Sequence, residues 1–158
     1  MELGIVLAIL GGAIAAILAG VGSALGVRQV GEVSCGLISE DPEKFGKLLL
    51  LQALPGTQGI YGFLAAVMTM QKVGLLGGEM LSVTPEIGWQ ILFACLPIGV
   101  VGLISGIAQG RVAASGINVV AKKPGEAGKP VIMAAMVETY AVLALLVTIL
   151  LLNGIQLG

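Results

Sequence analysis

The sequence has no histidine, few aromatic residues and few charges. Only 11% of its 158 residues are charged and 4% are aromatic, against about 25% charged in a soluble domain. A chain so poor in charge reads as an integral membrane protein. Its net charge is −1 with no basic stripe, which argues against nucleic acid as a partner. Cys35 and Cys95 lie far apart in apolar segments and read as small packing residues. Neither a disulfide framework nor a zinc site is supported. A phosphate loop of the form G-x-x-x-x-G-K-[ST] is missing as well. The nearest strings, FGKL at 45–48 and AGKP at 127–130, lack its spacing and hydroxyl. The chain is therefore not expected to hydrolyse nucleotide alone; it is not an enzyme in isolation.

What is present is apolar: 57% hydrophobic residues and a mean hydropathy of +1.05. Four stretches exceed the roughly 20 residues that cross a bilayer as helix, at about 3–38, 45–72, 86–120 and 128–153. A signal peptide fits the first poorly, because it opens on Met-Glu and its apolar run is too long. Small residues recur every four positions in two of the helices, as Ala8, Gly12, Ala16, Gly20 and Ala24, and again as Gly102, Gly106, Gly110 and Ala114. Such spacing lets backbones approach closely. Polar strings at 39–44 and 121–127 and a Gly-rich stretch from 73 to Pro85 form the loops. Seven of the eight basic residues lie at or beside the 39–47 and 121–129 loops, and only Lys72 lies opposite. The positive-inside rule then puts loops 39–44 and 121–127 in the cytoplasm and both termini on the other side.

The chain is also duplicated. A shift of 82 residues superposes Gly20 on Gly102, Ser23 on Ser105, Pro42 on Pro124, Lys47 on Lys129 and Thr57 on Thr139. Residues 1–82 and 83–158 each form one helical hairpin. Two spans per half make the repeats parallel, unlike the inverted repeats of many alternating-access transporters. The expected fold is all-α, with four transmembrane helices from two duplicated parallel hairpins.

One acid interrupts the apolar fourth stretch: Glu138, in PVIMAAMVETYAVLALLVTILLL. A carboxylate at such depth is costly and commonly marks an ion path. Counted from the cytoplasmic loops at 1.5 Å per residue, Glu138 lies about 15 Å in, and Thr57, Gln58 and Gln109 about 18–20 Å in. Leu54, Thr57, Gln58 and Tyr61 share one helix face at i, i+3, i+4 and i+7. Pro55 removes a backbone donor and loosens nearby carbonyls. The Glu138 carboxylate, the Thr57 hydroxyl, the amide oxygens of Gln58 and Gln109 and the Leu54 carbonyl could together hold a hard cation such as Na⁺, with Tyr61 donating a hydrogen bond to the acid. Interhelical glue is the competing reading, since polar groups in lipid seek each other. A four-helix channel or adaptor is disfavoured, because the polar groups cluster at one level and do not run along a helix.

At LPGTQGIYGF, SGIAQGRVAASGI and AAMVETYAVL the chain closely resembles the membrane rotor proteolipid of V-type ATPases, known as c or K, and the match spans its whole length. The resemblance implies a homo-oligomeric ring, lined inside by helices one and three. ATP hydrolysis in a soluble head would turn the ring past a stator subunit bearing an essential arginine. The cytoplasmic loops would meet the central stalk. It implies that Glu138 carries the ion. In sodium-carrying members Leu54, Thr57, Gln58 and Gln109 would complete the site, supported by Tyr61. No position of that pattern is missing, which favours Na⁺ over the alternative, H⁺. A bacterial plasma membrane is the expected setting, with lipid around the ring.

Overall fold

The computed structural model describes residues 2–77 and 81–157. It consists of five α-helices that make four membrane-length rods. Helix α1 (Leu3–Glu40) is continuous. The second rod is divided into α2 (Phe45–Ala53) and α3 (Thr57–Lys72) by a 3₁₀ turn over Leu54–Gly56. Helix α4 (Pro85–Lys122) and helix α5 (Gly128–Gly154) complete the chain. Every rod is apolar nearly all round, as a membrane helix must be when its backbone can find no water.

The loops are tighter than the polar strings suggest. Helix α1 runs through Ser39 and Glu40, so the first connection narrows to Asp41 and one 3₁₀ turn, Pro42–Lys44. Asp41 closes it, accepting from the Glu43 amide at 3.2 Å and pairing with Lys44 at 2.9 Å. The hydrogen bond from Lys44 holds the Asp41 carboxyl below its ordinary range. Lys44 also donates to the Ala121 carbonyl at 3.2 Å, which ties the two loops at this end together. At the other end Thr84 caps α4 by accepting from the Ile87 amide, with Pro85 in the first helical position where no donor is needed. Residues 78–80 of the expected Gly-rich loop lie outside the described residues.

Helices α1 and α4 pack along most of their length on glycine. Helix α4 uses its repeating Gly102, Gly106 and Gly110. Helix α1 uses Gly11, Gly22 and Gly26 and not its four-residue series, in which Gly12 faces Ala66 of α3 and a Cβ on Gly20 would meet nothing within 4 Å. A Cβ placed on Gly22 would meet the Leu103 Cα at 2.6 Å, and one on Gly106 the Gly22 carbonyl carbon at 2.7 Å. Only hydrogen fits there. Helices α3 and α5 lie against this pair. Two apolar clusters result. One, around Ile5, Ile91, Ile98, Leu145 and Leu152, fills the half near the termini. The other, around Val30, Leu48, Leu51, Ile117 and Val120, fills the half near the tight loops.

Pro97 stands inside α4 without breaking it. The Ile98 amide beside it donates to Thr148 Oγ1 of α5 at 3.3 Å, so a neighbouring helix satisfies what proline disturbs. Of the two cysteines, Cys95 is buried against Thr69 and packs as expected, whereas Cys35 is exposed. Cys35 follows Arg28 and Glu32 on an exposed face of α1 that no described residue covers, so it is not an internal packing residue.

Candidate functional site

The 3₁₀ turn at Leu54–Gly56 is the local cause of the site. Pro55 has no amide hydrogen, and the chain tightens there before resuming as α3. The Leu54 carbonyl turns toward Thr57, whose hydroxyl donates to it at 3.0 Å. The Gly59 amide donates at 2.7 Å to Ser23 Oγ of α1. Ser23 thus pins the broken helix to its neighbour, a role that nothing in the residue order signals beyond its repeat partner Ser105.

From this turn a hydrogen-bonded chain crosses three helices. Gln58 Nε2 on α3 donates to Gln109 Oε1 on α4 at 2.5 Å. Gln109 Nε2 donates to Glu138 Oε2 on α5 at 3.3 Å. Tyr61 Oη donates to Glu138 Oε1 at 2.6 Å. Thr57 Oγ1 lies 3.5 Å from Gln58 Oε1. Gln58 and Gln109 are fully buried, so an unpaired amide there would cost on the order of 1–3 kcal/mol. All six residues singled out from the sequence, Leu54, Thr57, Gln58, Tyr61, Gln109 and Glu138, are brought into this one assembly. The direct Gln58–Gln109 bond was not foreseeable, because spacing gives depth along a helix and not rotation about it.

The assembly lies between the two apolar clusters. Leu51 and Ala134 sit on one side of its level, Ala65 and Ala144 on the other. Glu138 is half-buried and also borders a shallow cleft of about 330 Å³, lined by Ala135, Thr139, Val142 and Leu143. The carboxylate therefore has an inner side, made of amides and hydroxyls, and an apolar side opening away from the bundle. Among the described residues no three acidic, cysteine or histidine side chains gather. The site offers one negative charge and several neutral oxygens.

The chain is similar in sequence to known proteins. The profile of the ATP synthase C-subunit family matches residues 10–69 and again residues 92–151. The chain belongs to that family. It is 51% identical over 148 residues to the V-type sodium ATPase subunit K of Enterococcus hirae, covering 94% of this chain and 91% of that protein. It is 37% identical over 154 residues to the A-type ATP synthase subunit K of Methanocaldococcus jannaschii, covering 98% of this chain and 65% of that protein. The chain is thus a multi-pass membrane proteolipid of the c/K rotor type, a component of an ATPase complex that resembles the sodium members. The two profile matches begin 82 residues apart, at 10 and 92, which is the shift read from the sequence.

Proposed function

We propose that this chain is a rotor-ring component that transports Na⁺ across the membrane on Glu138 during ATP-driven rotation. The observation that carries the reading is the chain of polar side chains from three helices ending on one carboxylate. Na⁺ is the transported substrate here. Rotation of the Gln58 and Gln109 amides would turn their oxygens inward, joining Glu138, Thr57 Oγ1 and the Leu54 carbonyl around a small cation. One charge with several neutral oxygens suits a monovalent hard ion better than a divalent one. The relative named as a sodium ATPase subunit supports the same choice.

The mechanism follows from charge. With Na⁺ bound, Glu138 is neutralised and can turn past lipid at tolerable cost. At the stator, an arginine would compete for the carboxylate and release the ion into an aqueous path. The cleft beside Glu138 faces α5's outer side, which suits that meeting. Each charge moved against 100 mV requires about 2.3 kcal/mol, supplied by ATP hydrolysis in the soluble head. Loops 39–44 and 121–127 would face the cytoplasm, where Lys44 holds them together for contact with the central stalk. Residues 1–82 and 83–158 would be the two duplicated hairpins, in a bacterial plasma membrane.

The test is labelling of Glu138 by a hydrophobic carbodiimide, which attacks a protonated carboxyl. Na⁺ at fixed pH is expected to protect Glu138, and the protection to weaken as pH falls and protons compete. Labelling that follows pH and ignores Na⁺ would instead make this a proton-carrying rotor. Gln109→Leu should raise the Na⁺ concentration for half-protection about tenfold or more, one lost oxygen ligand being worth roughly 1.4 kcal/mol or above. Unchanged protection in that variant would remove Gln109 from the ligand set.

A further inference from the structure

Helix α3 begins part-way along a membrane rod, at Thr57, and its first turn has amides to satisfy. The first amides of a helix have no acceptor within it, and in hydrocarbon no water can serve them. An ordinary helix answers with its own N-cap side chain, which accepts from the second or third amide. Gly56 holds that position without a side chain, so α3 has no such cap of its own. Gly59 is the third residue of α3, and its amide donates to Ser23 Oγ of α1 at 2.7 Å. Ser23 does from another helix what an N-cap residue does from its own. Glycine at 59 permits the approach, since a Cβ there would meet Ser23 Cβ and Oγ at 3.3 Å.

The duplication supplies a comparison within the same chain. The shift of 82 carries Ser23 to Ser105, Pro55 to Val137 and Gly59 to Ala141. Ser105 lies against α5, lining a cleft with Val137 and Tyr140, but α5 is unbroken from Gly128 to Gly154. Ala141 stands in mid-helix, where the helical ladder supplies an acceptor for its amide. Ser105 is 5% exposed, and its hydroxyl oxygen has no partner among the described residues. The duplicated serine is bonded where the facing helix is broken and unpaired where it is not. A need for a small residue accounts for Ser105, but it leaves the bond at Ser23 unexplained.

We propose that Ser23 is a positioning residue that favours Na⁺ over H⁺: by capping α3 from α1 it holds the Leu54–Gln58 turn in ligand geometry, and so strengthens cation binding without changing proton binding. That stretch carries the Leu54 carbonyl, the Thr57 hydroxyl and the Gln58 amide, three of the oxygens assigned above to the cation. A proton on Glu138 needs none of them, because the groups that touch the carboxylate are Tyr61 and Gln109. Beyond Gly59 the helix is fixed by shape. A Cβ on Gly62 would meet the Ala15 carbonyl oxygen at 2.5 Å and Ala19 Cβ at 2.6 Å, so Tyr61 keeps its place beside Glu138 whether or not Ser23 has its hydroxyl. The turn has more room, since a Cβ on Gly56 would meet only Val27 Cγ2, at 3.8 Å. Loss of the cap therefore acts on the cation ligands and spares the acid.

The proposal rests on the sodium reading, and its test separates the two. Carbodiimide labelling of Glu138 is followed in membranes bearing the wild type, Ser23→Ala or Ser105→Ala. It is measured against NaCl at fixed pH, and against pH without Na⁺. Ser23→Ala should raise the NaCl concentration for half-protection about fivefold or more, the size of a lost helix cap expressed as binding. It should leave the pH of half-labelling where the wild type has it, which also reports that the site is assembled. Ser105→Ala should change neither. Unchanged Na⁺ protection in Ser23→Ala would overturn the proposal. A pH midpoint that moves along with the Na⁺ curve would overturn it too, making Ser23 a support of the whole site. An equal loss in Ser105→Ala would reduce both serines to packing. A wild type that Na⁺ does not protect would overturn the sodium reading itself, and this proposal with it.

Discussion

Glu138→Gln should abolish ion transport while leaving the chain folded. Tyr61 and Gln109 now donate to the two separate carboxylate oxygens at 2.6 and 3.3 Å. In the amide, the one oxygen can still accept from Gln109 while the new NH2 donates to the Tyr61 hydroxyl oxygen. What disappears is the negative charge. A cation about 4 Å from a carboxylate gains about 4 kcal/mol at an effective dielectric constant near 20, and losing that weakens binding about a thousandfold. The other groups of the proposed site are neutral oxygens between two apolar clusters, and they cannot replace it. ATP-driven ²²Na⁺ uptake into vesicles bearing the complex should fall to background. Circular dichroism and thermal stability of the isolated proteolipid should stay near the wild type. Uptake surviving at more than a few per cent would show that the ion travels on something other than Glu138, and the functional reading would fail with it.

The contrast between Glu138 and Gln109 shows how far residue order reaches. Four rods, their loops and the depth of the acid follow from counting apolar residues, since a membrane fixes length and forbids unpaired backbone. Leu54, Thr57, Gln58 and Tyr61 share a face because 3.6 residues make a turn. Gln109 differs. Its depth was legible, but its rotation was not, because from Ile91 to Ala108 the helix α4 holds only Ser105 among polar side chains and so has no polar face to orient it. The small-residue spacing was the only guide to which faces meet. It pointed correctly to the close face of α4, at Gly102, Gly106 and Gly110. On α1 it marked Gly12, which faces α3, and Gly20, where a Cβ would meet nothing within 4 Å, in place of Gly11, Gly22 and Gly26. Ser23 and Thr148 were illegible for a related reason. Each serves a backbone amide displaced by a proline on another helix, a need visible only once the helices are placed.

Those tertiary bonds explain why a broken helix can hold a defined site. Pro55 and Gly56 by themselves would leave the second rod loose at its midpoint. Ser23 fixes Gly59 from one side, and the paired amides of Gln58 and Gln109 fix the other. The site is therefore shaped by α1 and α4 as much as by the helix that carries the acid. Disturbing the α1–α4 spine should damage ion binding from a distance.

Gly106→Leu provides that disturbance. A Cβ at Gly106 meets the Gly22 carbonyl carbon and oxygen at 2.7 and 2.9 Å and the Ser23 amide nitrogen at 2.9 Å. These are backbone atoms of a rigid helix, with no rotamer to yield, so α4 must move away from α1. Overpacking ordinarily costs about 1–3 kcal/mol, and a leucine wedged between two backbones should sit at or above the top of that range. Gln109 lies one turn beyond Gly106, so the same displacement draws its amide away from Gln58 and Glu138. Ser23, one residue beyond Gly22, is pushed from the Gly59 amide at the same time. The variant should show a lower unfolding temperature in detergent and little Na⁺ protection against carbodiimide. Gly46→Leu is the control, since a Cβ there meets nothing within 4 Å. It should keep both properties. If Gly106→Leu instead lost stability but kept full Na⁺ protection, the ion would be held by α3 and α5 alone, and Gln109 would be an interhelical tie.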